Sequence, residues 1–204
     1  MTRRKTTVPD LTPVLPALLL SLVLSLGLTG PASAQLPSPP VRLTAFAINL
    51  NAAGRAPARE ASVVEIVIER WSAPDERGAL LGALSQGESA LLSALQKTPR
   101  VGYIRTPDSV ALDLHYAHLS PDPNGGQRIF LATDRRIGFW EGFHNTRSLD
   151  YPFTLIEIHM GPDGKGEGRM SIATKVYADK DGYLRLEDYS AEPVRLQEVH
   201  LEKK

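Results

Sequence analysis

The stretch from Asp134 to Tyr151, DRRIGFWEGFHNTRSLDY, holds the side chains best suited to recognition or chemistry. It interleaves aromatic rings with basic, acidic and imidazole groups. Long connections inside a domain are often functional, and aromatic residues beside arginines are typical of recognition surfaces. The alternative is a loop that folds over the end of a sheet, with its aromatic rings on the core and its arginines in water. The predicted contacts to a ligand or partner are Arg135, Arg136, Trp140, Glu141, His144 and Arg147.

Glu157 and His159 form a second group with chemical potential. Residues two apart in a strand point to the same face, and their Cα atoms lie about 6.5–7 Å apart. Such a pair could share a cation, or couple as a general base and the group that orients it. The alternative is the solvated outer face of a sheet, because the sequence places no third ligand beside them.

The remaining motifs favour structure over chemistry. His115 and His118 lie three apart in a predicted strand, so they face opposite sides and should not share a metal. The chain has no cysteine and no G-x-S-x-G motif, and we therefore predict no catalytic residue, metal ligand or cofactor. The acidic residues in predicted turns do not follow the spacing of a calcium loop. These residues are Asp163, Glu167, Asp179 and Asp181.

Residues 1–34 have the features of a secretory signal peptide. A basic start over residues 3–5 precedes a short apolar run over residues 15–28, and Ala32-Ser33-Ala34 then offers a small-x-small cleavage site. The apolar run is short for a membrane span of about 20 residues. We therefore expect cleavage after Ala34 and export to the periplasm or the medium, with no membrane span in the mature chain.

The chain that remains is close to neutral. The sequence has 23 basic and 23 acidic residues, and residues 1–34 hold three of the basic and one of the acidic, which leaves a net charge of −2. This balance gives no electrostatic basis for binding nucleic acid or an anionic membrane. We expect a disordered, proline-rich lead-in over residues 35–40 and a single domain over residues 41–204.

The clearest structural pattern is a hairpin from Tyr151 to Val176. Alternating apolar residues on both sides of a glycine-rich segment predict two antiparallel strands. Placing both apolar sets on one face predicts the register Ile158–Ile172, with the turn centred on Gly164-Lys165-Gly166. A slip in the alternation of the last strand, residues 193–201, predicts a β-bulge near Gln197-Glu198.

The remaining elements predict the fold class. Leucines at i, i+1 and i+4 predict two short helices, residues 73–84 and 87–97, capped by Ser72 and Ser85 and packed on a sheet through Leu80, Leu84, Leu91 and Leu95. The other segments alternate with a period of two, and residues 111–119 are predicted to form one strand. We therefore expect a mainly β protein: an antiparallel sandwich or meandering barrel of about nine strands, with one helical pair inserted after the second strand.

Three stretches resemble a group of small, exported bacterial proteins of unknown function. They are ATDRRIGFWE (Ala132 to Glu141), DYPFTLIEIHM (Asp150 to Met160) and EPVRLQEVHLEK (Glu192 to Lys203). The resemblance implies an exported single domain, and it implies no activity, ligand or catalytic residue.

Three functions fit these observations. The first is an exported, soluble binding or interaction module, which presents the loop of residues 134–151 or an edge strand to a protein or a small ligand. The second is a cell-envelope hydrolase that acts through the same loop, with Glu141, His144 and Arg147 near a pocket mouth. The third is a structural component of the cell envelope. A deep pocket with convergent polar groups would favour chemistry, and a filled core would favour binding.

Overall fold

Nine antiparallel strands form one sheet that curves until it is nearly closed, like a barrel. In sequence order they are β1 (Val41–Ile48), β2 (Ala61–Ile68), β3 (Gly102–Arg105), β4 (Leu112–Leu114), β5 (Tyr116–Pro121), β6 (Gln127–Thr133), β7 (Thr154–Met160), β8 (Lys165–Ser171) and, after two further strands, β11 (Val194–Leu201). The order across the sheet is β4-β3-β2-β1-β11-β8-β7-β6-β5. Strands β9 (Val176–Ala178) and β10 (Leu184–Leu186) pair with each other in a separate ribbon.

The computed structural model describes residues within one compact unit, Ala32–Lys204. The described residues are 36–48, 61–107, 109–123, 125–135, 153–171, 176–178, 184–186 and 194–202. In this part of the chain, no helix is long and apolar enough to cross a membrane.

The sheet nearly closes because its two edge strands belong to the same run of chain. β4 pairs with β3, β5 pairs with β6, and His115 alone separates β4 from β5. The His115 amide donates to the Ala132 carbonyl at 2.9 Å. Ser72, which follows β2, is joined to Ala117 of β5: the Ser72 amide donates to the Ala117 carbonyl at 2.8 Å, and the Ala117 amide donates to Ser72 Oγ at 3.0 Å. Of the two expected architectures the structure has the barrel, and the predicted strand of residues 111–119 is broken where it changes partner.

The inside of the barrel is occupied by apolar side chains. Along β1, Val41, Leu43, Ala45 and Ala47 are buried, as the period of two requires. Side chains from the facing strands complete one continuous cluster. Its members include Ile66, Ile104, Leu114, Ile129, Leu131, Ile156, Ile158, Met170, Leu196 and Val199.

The predicted helices are confirmed as α1 (Pro74–Ser85) and α2 (Glu88–Lys97). They belong to a second apolar cluster on the outer face of β5, β6 and β7, so the barrel wall has a core on each side. Leu80, Leu91 and Leu95 are buried there, as predicted, and Leu84 is partly buried. The sheet contributes Tyr116, Phe130, Ala132 and Leu155 to this cluster, together with Phe153, which directly precedes β7.

The predicted serine caps of these helices are wrong. Ser72 uses its amide and its hydroxyl to join Ala117, and Ser85 is the last residue of α1, where its hydroxyl donates to the Gly82 carbonyl at 2.7 Å. The N-terminus of α1 is instead fixed by Glu76, whose carboxylate accepts from the Ala73 amide at 2.8 Å. The same carboxylate accepts two bonds of 2.8 Å from Arg70, and this interaction lowers the pKa of Glu76 although burial opposes it.

The predicted register of the central hairpin is also wrong. Ile158 pairs with Gly168, and Ile172 lies outside the described residues. The turn falls earlier, because Pro162-Asp163-Gly164 has the residue types that favour a type I turn followed by a left-handed residue, and Gly164 has φ +76°. Strand β8 therefore begins at Lys165. Compared with the predicted register, β8 is displaced along β7 by an even number of residues, so Met170 still faces the inside as predicted.

The predicted bulge in β11 is confirmed. The pairing of β11 with β8 shifts register between Leu196 and Val199, and Glu198 has a left-handed φ of 49°. The extra residue brings Val199 back to the inner face, where it is buried.

Gly168 is required by the close approach of β7. A Cβ atom at this position would lie 2.5 Å from the Glu157 carbonyl oxygen and 3.1 Å from Ile158 Cγ1. We expect Gly168→Ala to destabilise the protein by about 1–3 kcal/mol, as overpacking does, measured by urea denaturation. Gly78→Ala in α1 is the control: nothing lies within 4 Å of its Cβ, and helix propensity predicts a gain of about 1 kcal/mol. Equal effects of the two substitutions would contradict the steric argument.

Candidate functional site

The structure describes only the first two residues of the predicted recognition loop, Asp134 and Arg135. Arg135 is exposed, and its backbone is fixed next to the strands: its amide donates to Thr133 Oγ1 at 3.3 Å, and its carbonyl accepts from Thr154 Oγ1 at 3.2 Å. Thr133 and Thr154 are themselves paired across β6 and β7. The loop is therefore the connection of a hairpin whose ends are held in register. The other predicted contacts, Arg136, Trp140, Glu141, His144 and Arg147, lie outside the described residues.

Glu157 and His159 lie together on the outer face of β7, as predicted. Glu157 is only 3% exposed. Its neighbours across the sheet are Phe130 on β6 and Arg169 on β8, while His159 lies between Arg128 and Glu167. The pairing of three strands thus gathers ionisable side chains around a buried carboxylate.

Two arginines stabilise the charge of Glu157. Arg128 Nη1 lies 3.4 Å from Glu157 Oε1. Arg169 Nε donates to Oε2 at 3.2 Å, and Arg169 Nη2 lies 3.2 Å from the same oxygen. Arg128 is 6% exposed, so its charge is also taken out of water. Burial raises the pKa of Glu157, but the hydrogen bond from His159 and the charges of Arg169 and His159 outweigh it, and the net shift is downward. Glu157 is therefore ionised in the folded protein at neutral pH.

His159 lies between two carboxylates. Its Nδ1 forms a hydrogen bond with Asp122 Oδ2, from the β5–β6 turn, and its Nε2 lies 3.5 Å from Glu157 Oε1. The hydrogen bond with Glu157 raises the pKa of His159, burial lowers it, and the bond with Asp122 raises it further; the net shift is upward. The carboxylate side chain of Asp122 is 4% exposed, whereas the imidazole is 39% exposed. The positive charge of the imidazolium is thus matched to two anions.

The described geometry favours neither the general-base role nor the shared cation considered for Glu157 and His159. A general base needs one ring nitrogen free to take a proton from a nucleophile, but both nitrogens of His159 face carboxylates. Shared cation binding is not supported either, because no group of three or more His, Asp or Glu side chains in the described ranges could hold a metal ion. The arrangement is suited to fixing charges rather than to moving a proton.

An open depression of about 560 Å³ lies beside this cluster. It is formed where the β5–β6 turn and the β7–β8 turn come together. Its charged lining residues carry both signs, and two of them, Asp122 and His159, belong to the cluster. The charged side chains on its lining are Asp122, His159, Asp163, Lys165 and Glu167.

Sequence reasoning missed three members of this cluster: Asp122, Arg128 and Arg169. Asp122 lies in the β5–β6 turn, and the two arginines lie on outward positions of the strands that flank β7. The usable signal was the turn Pro162-Asp163-Gly164, because the register it sets places Arg169 directly opposite Glu157.

His115 and His118, among the described histidines, have separate sets of neighbours. His115 Nδ1 lies 2.7 Å from the Thr98 carbonyl oxygen, and its Nε2 lies 3.4 Å from Asp134 Oδ1. The ring of His118 lies 6.2 Å from that of Tyr116, near the helices. Burial lowers the pKa of His118 and raises that of Tyr116 to about 12. Neither His115 nor His118 lines the depression.

Comparison with known proteins adds no residue roles to this geometry. No family model, no curated protein sequence and no solved structure matches the chain. The resemblance to small exported bacterial proteins therefore stays a prediction.

Proposed function

We propose that the protein is an exported binding or interaction module, periplasmic or secreted after removal of residues 1–34. The observation that supports this best is the orientation of His159, whose two ring nitrogens both face carboxylates. An imidazole held in this way orders charged groups and has no nitrogen left for a substrate. The apolar filling of the barrel agrees with this proposal, because the polar groups that converge do so on the outer surface.

The depression at the β5–β6 and β7–β8 turns is the binding surface that the described residues favour. It is concave, and its position is fixed by strands rather than by a long loop. Lys165 and Glu167 are exposed there and can pair with charged groups of a ligand. A polar small molecule or a peptide that carries charges of both signs fits this lining.

The loop of residues 134–151 remains the second proposed surface. It connects the ends of β6 and β7 that lie opposite the depression, since Thr133 pairs with Thr154 and Gln127 with Met160. Seven-residue strands separate the strand ends that this loop joins from the depression by roughly 20 Å. Variants at one surface should therefore leave the other intact. The hydrolase alternative depends on Glu141, His144 and Arg147, outside the described residues, and stays a prediction.

We expect Trp140→Ala to leave the melting temperature nearly unchanged and to abolish retention of the partner, if the loop is the contact surface. A tryptophan in a polar segment either packs on the core or waits for a partner. If it packs on the core, the same substitution should cost about 3–5 kcal/mol. The measurement is native mass spectrometry of protein recovered from the cell compartment to which it is exported, together with thermal unfolding.

Lys165→Glu is the matched variant for the depression. It reverses one exposed charge and should change stability by no more than about 0.5 kcal/mol. Loss of the bound mass in Lys165→Glu alone assigns binding to the depression, and loss in Trp140→Ala alone assigns it to the loop. A wild-type protein that carries no additional mass under these conditions would contradict the binding proposal.

A further inference from the structure

Asp122 connects the β5–β6 turn to the charged cluster. The Asp122 amide donates to the Gly126 carbonyl at 3.2 Å, and its own carbonyl accepts from the Gly125 amide at 3.0 Å. Its side chain points to His159, 37 residues further along the chain. One residue therefore determines both the local shape of the turn and its attachment to β7.

The groups that face His159 come from every neighbouring element. Glu157 lies on its own strand and Asp122 on the β5–β6 turn, while Arg128 on β6 and Glu167 on β8 are its cross-strand neighbours. Arg169 holds the far oxygen of Glu157, and Asp163 and Lys165 lie further along the depression. Histidine is the only side-chain type in this set whose charge ordinarily changes near neutral pH.

We propose that His159 is a pH-dependent clasp that holds the β5–β6 turn against β7 and so sets the shape of the depression. Protonated, the imidazole donates from both nitrogens and bridges Asp122 to Glu157. Neutral, it donates from one nitrogen only, so one carboxylate faces a lone pair and the positive charge between the two anions is lost. The clasp regulates the surface assigned to binding under the proposed function.

The direction of the pH dependence follows from the contacts. The hydrogen bond with Glu157 comes first among the causes that raise the pKa of His159 above 6.5. The stability that protonated His159 contributes is therefore fully present below about pH 6.5. That contribution is lost as the pH rises through the higher pKa that His159 has in the folded state. The turn should be held in mildly acidic solution and released at higher pH.

Nuclear magnetic resonance of the mature protein tests the clasp without any ligand. Between pH 5 and 9, the amide signals of Gly125 and Gly126 should shift with the same midpoint as the imidazole of His159, above 6.5. The shift should vanish in His159→Gln and persist in His200→Gln, which removes an exposed histidine of β11. Asp122→Asn should lower the His159 midpoint, because it removes one of the interactions that raise it.

Two results would overturn the clasp: amide signals of the turn that do not follow His159 in the wild type, or a transition that persists in His159→Gln. If His159→Gln does not fold, the wild type and Asp122→Asn still decide the matter. Because no ligand is added, a protein that binds nothing can still show the clasp. Conversely, a bound partner without coupled titration rejects the clasp alone.

Discussion

Replacing Glu157 with glutamine is expected to lower the free energy of unfolding by about 3–5 kcal/mol. The substitution preserves size and removes the negative charge. Arg128, only 6% exposed, would then be a buried cation without its counterion. Arg169 and His159 would also lose this anion, but both are partly exposed and can be hydrated, and His159 keeps its contact with Asp122. Urea denaturation at pH 7 gives the change directly.

Two further variants show whether charge is the cause. Glu167→Gln removes an exposed carboxylate from the adjacent strand, opposite His159, and should cost less than about 1 kcal/mol. The double variant Glu157→Gln with Arg128→Met removes the buried cation as well and should recover most of the loss. A double variant as unstable as Glu157→Gln alone would show that packing, not the unpaired charge, accounts for the effect.

Replacing Leu91 with aspartate is expected to detach the helical pair or unfold the protein. Leu91 is 3% exposed, in the cluster that joins α1 and α2 to the outer face of the sheet. Loss of the leucine side chain alone costs about 2–5 kcal/mol, and a buried carboxylate adds several kcal/mol of desolvation. The sum approaches the whole stability of a typical domain, about 5–15 kcal/mol.

Ser93→Asp is the control, because Ser93 is exposed on the same helix. Circular dichroism in the far ultraviolet should show reduced helix, or a lost transition, for Leu91→Asp and a normal spectrum for Ser93→Asp. A folded Leu91→Asp variant with unaltered helical signal would mean that α2 is not attached to the sheet through this residue.

Local patterns in the sequence determined most of the elements of this fold. Leucine spacing located the two helices because an α-helix places residues three and four apart on one face, whatever lies opposite. The bulge in β11 was visible because one extra residue reverses the alternation of every residue after it. The same kind of evidence indicated the mainly β class and the positions of the strands. It also placed Glu157 and His159 on one face of a strand.

Tertiary structure decided the register, the closure of the sheet and the charged cluster. Ile158 meets Gly168 rather than Ile172 because turn geometry outweighed the match of apolar residues, and an even displacement kept the same face inside. The continuous segment of residues 112–121 is divided at His115 because its first half pairs with β3 and its second half with β6. Both pairings are possible only because the sheet curves round to bring β3 and β6 to the same segment. Glu157 receives Arg128 and Arg169 from positions 29 and 12 residues away, and His159 receives Asp122 from 37 residues away. No periodicity connects such positions, since side chains distant in sequence meet only when strands pair.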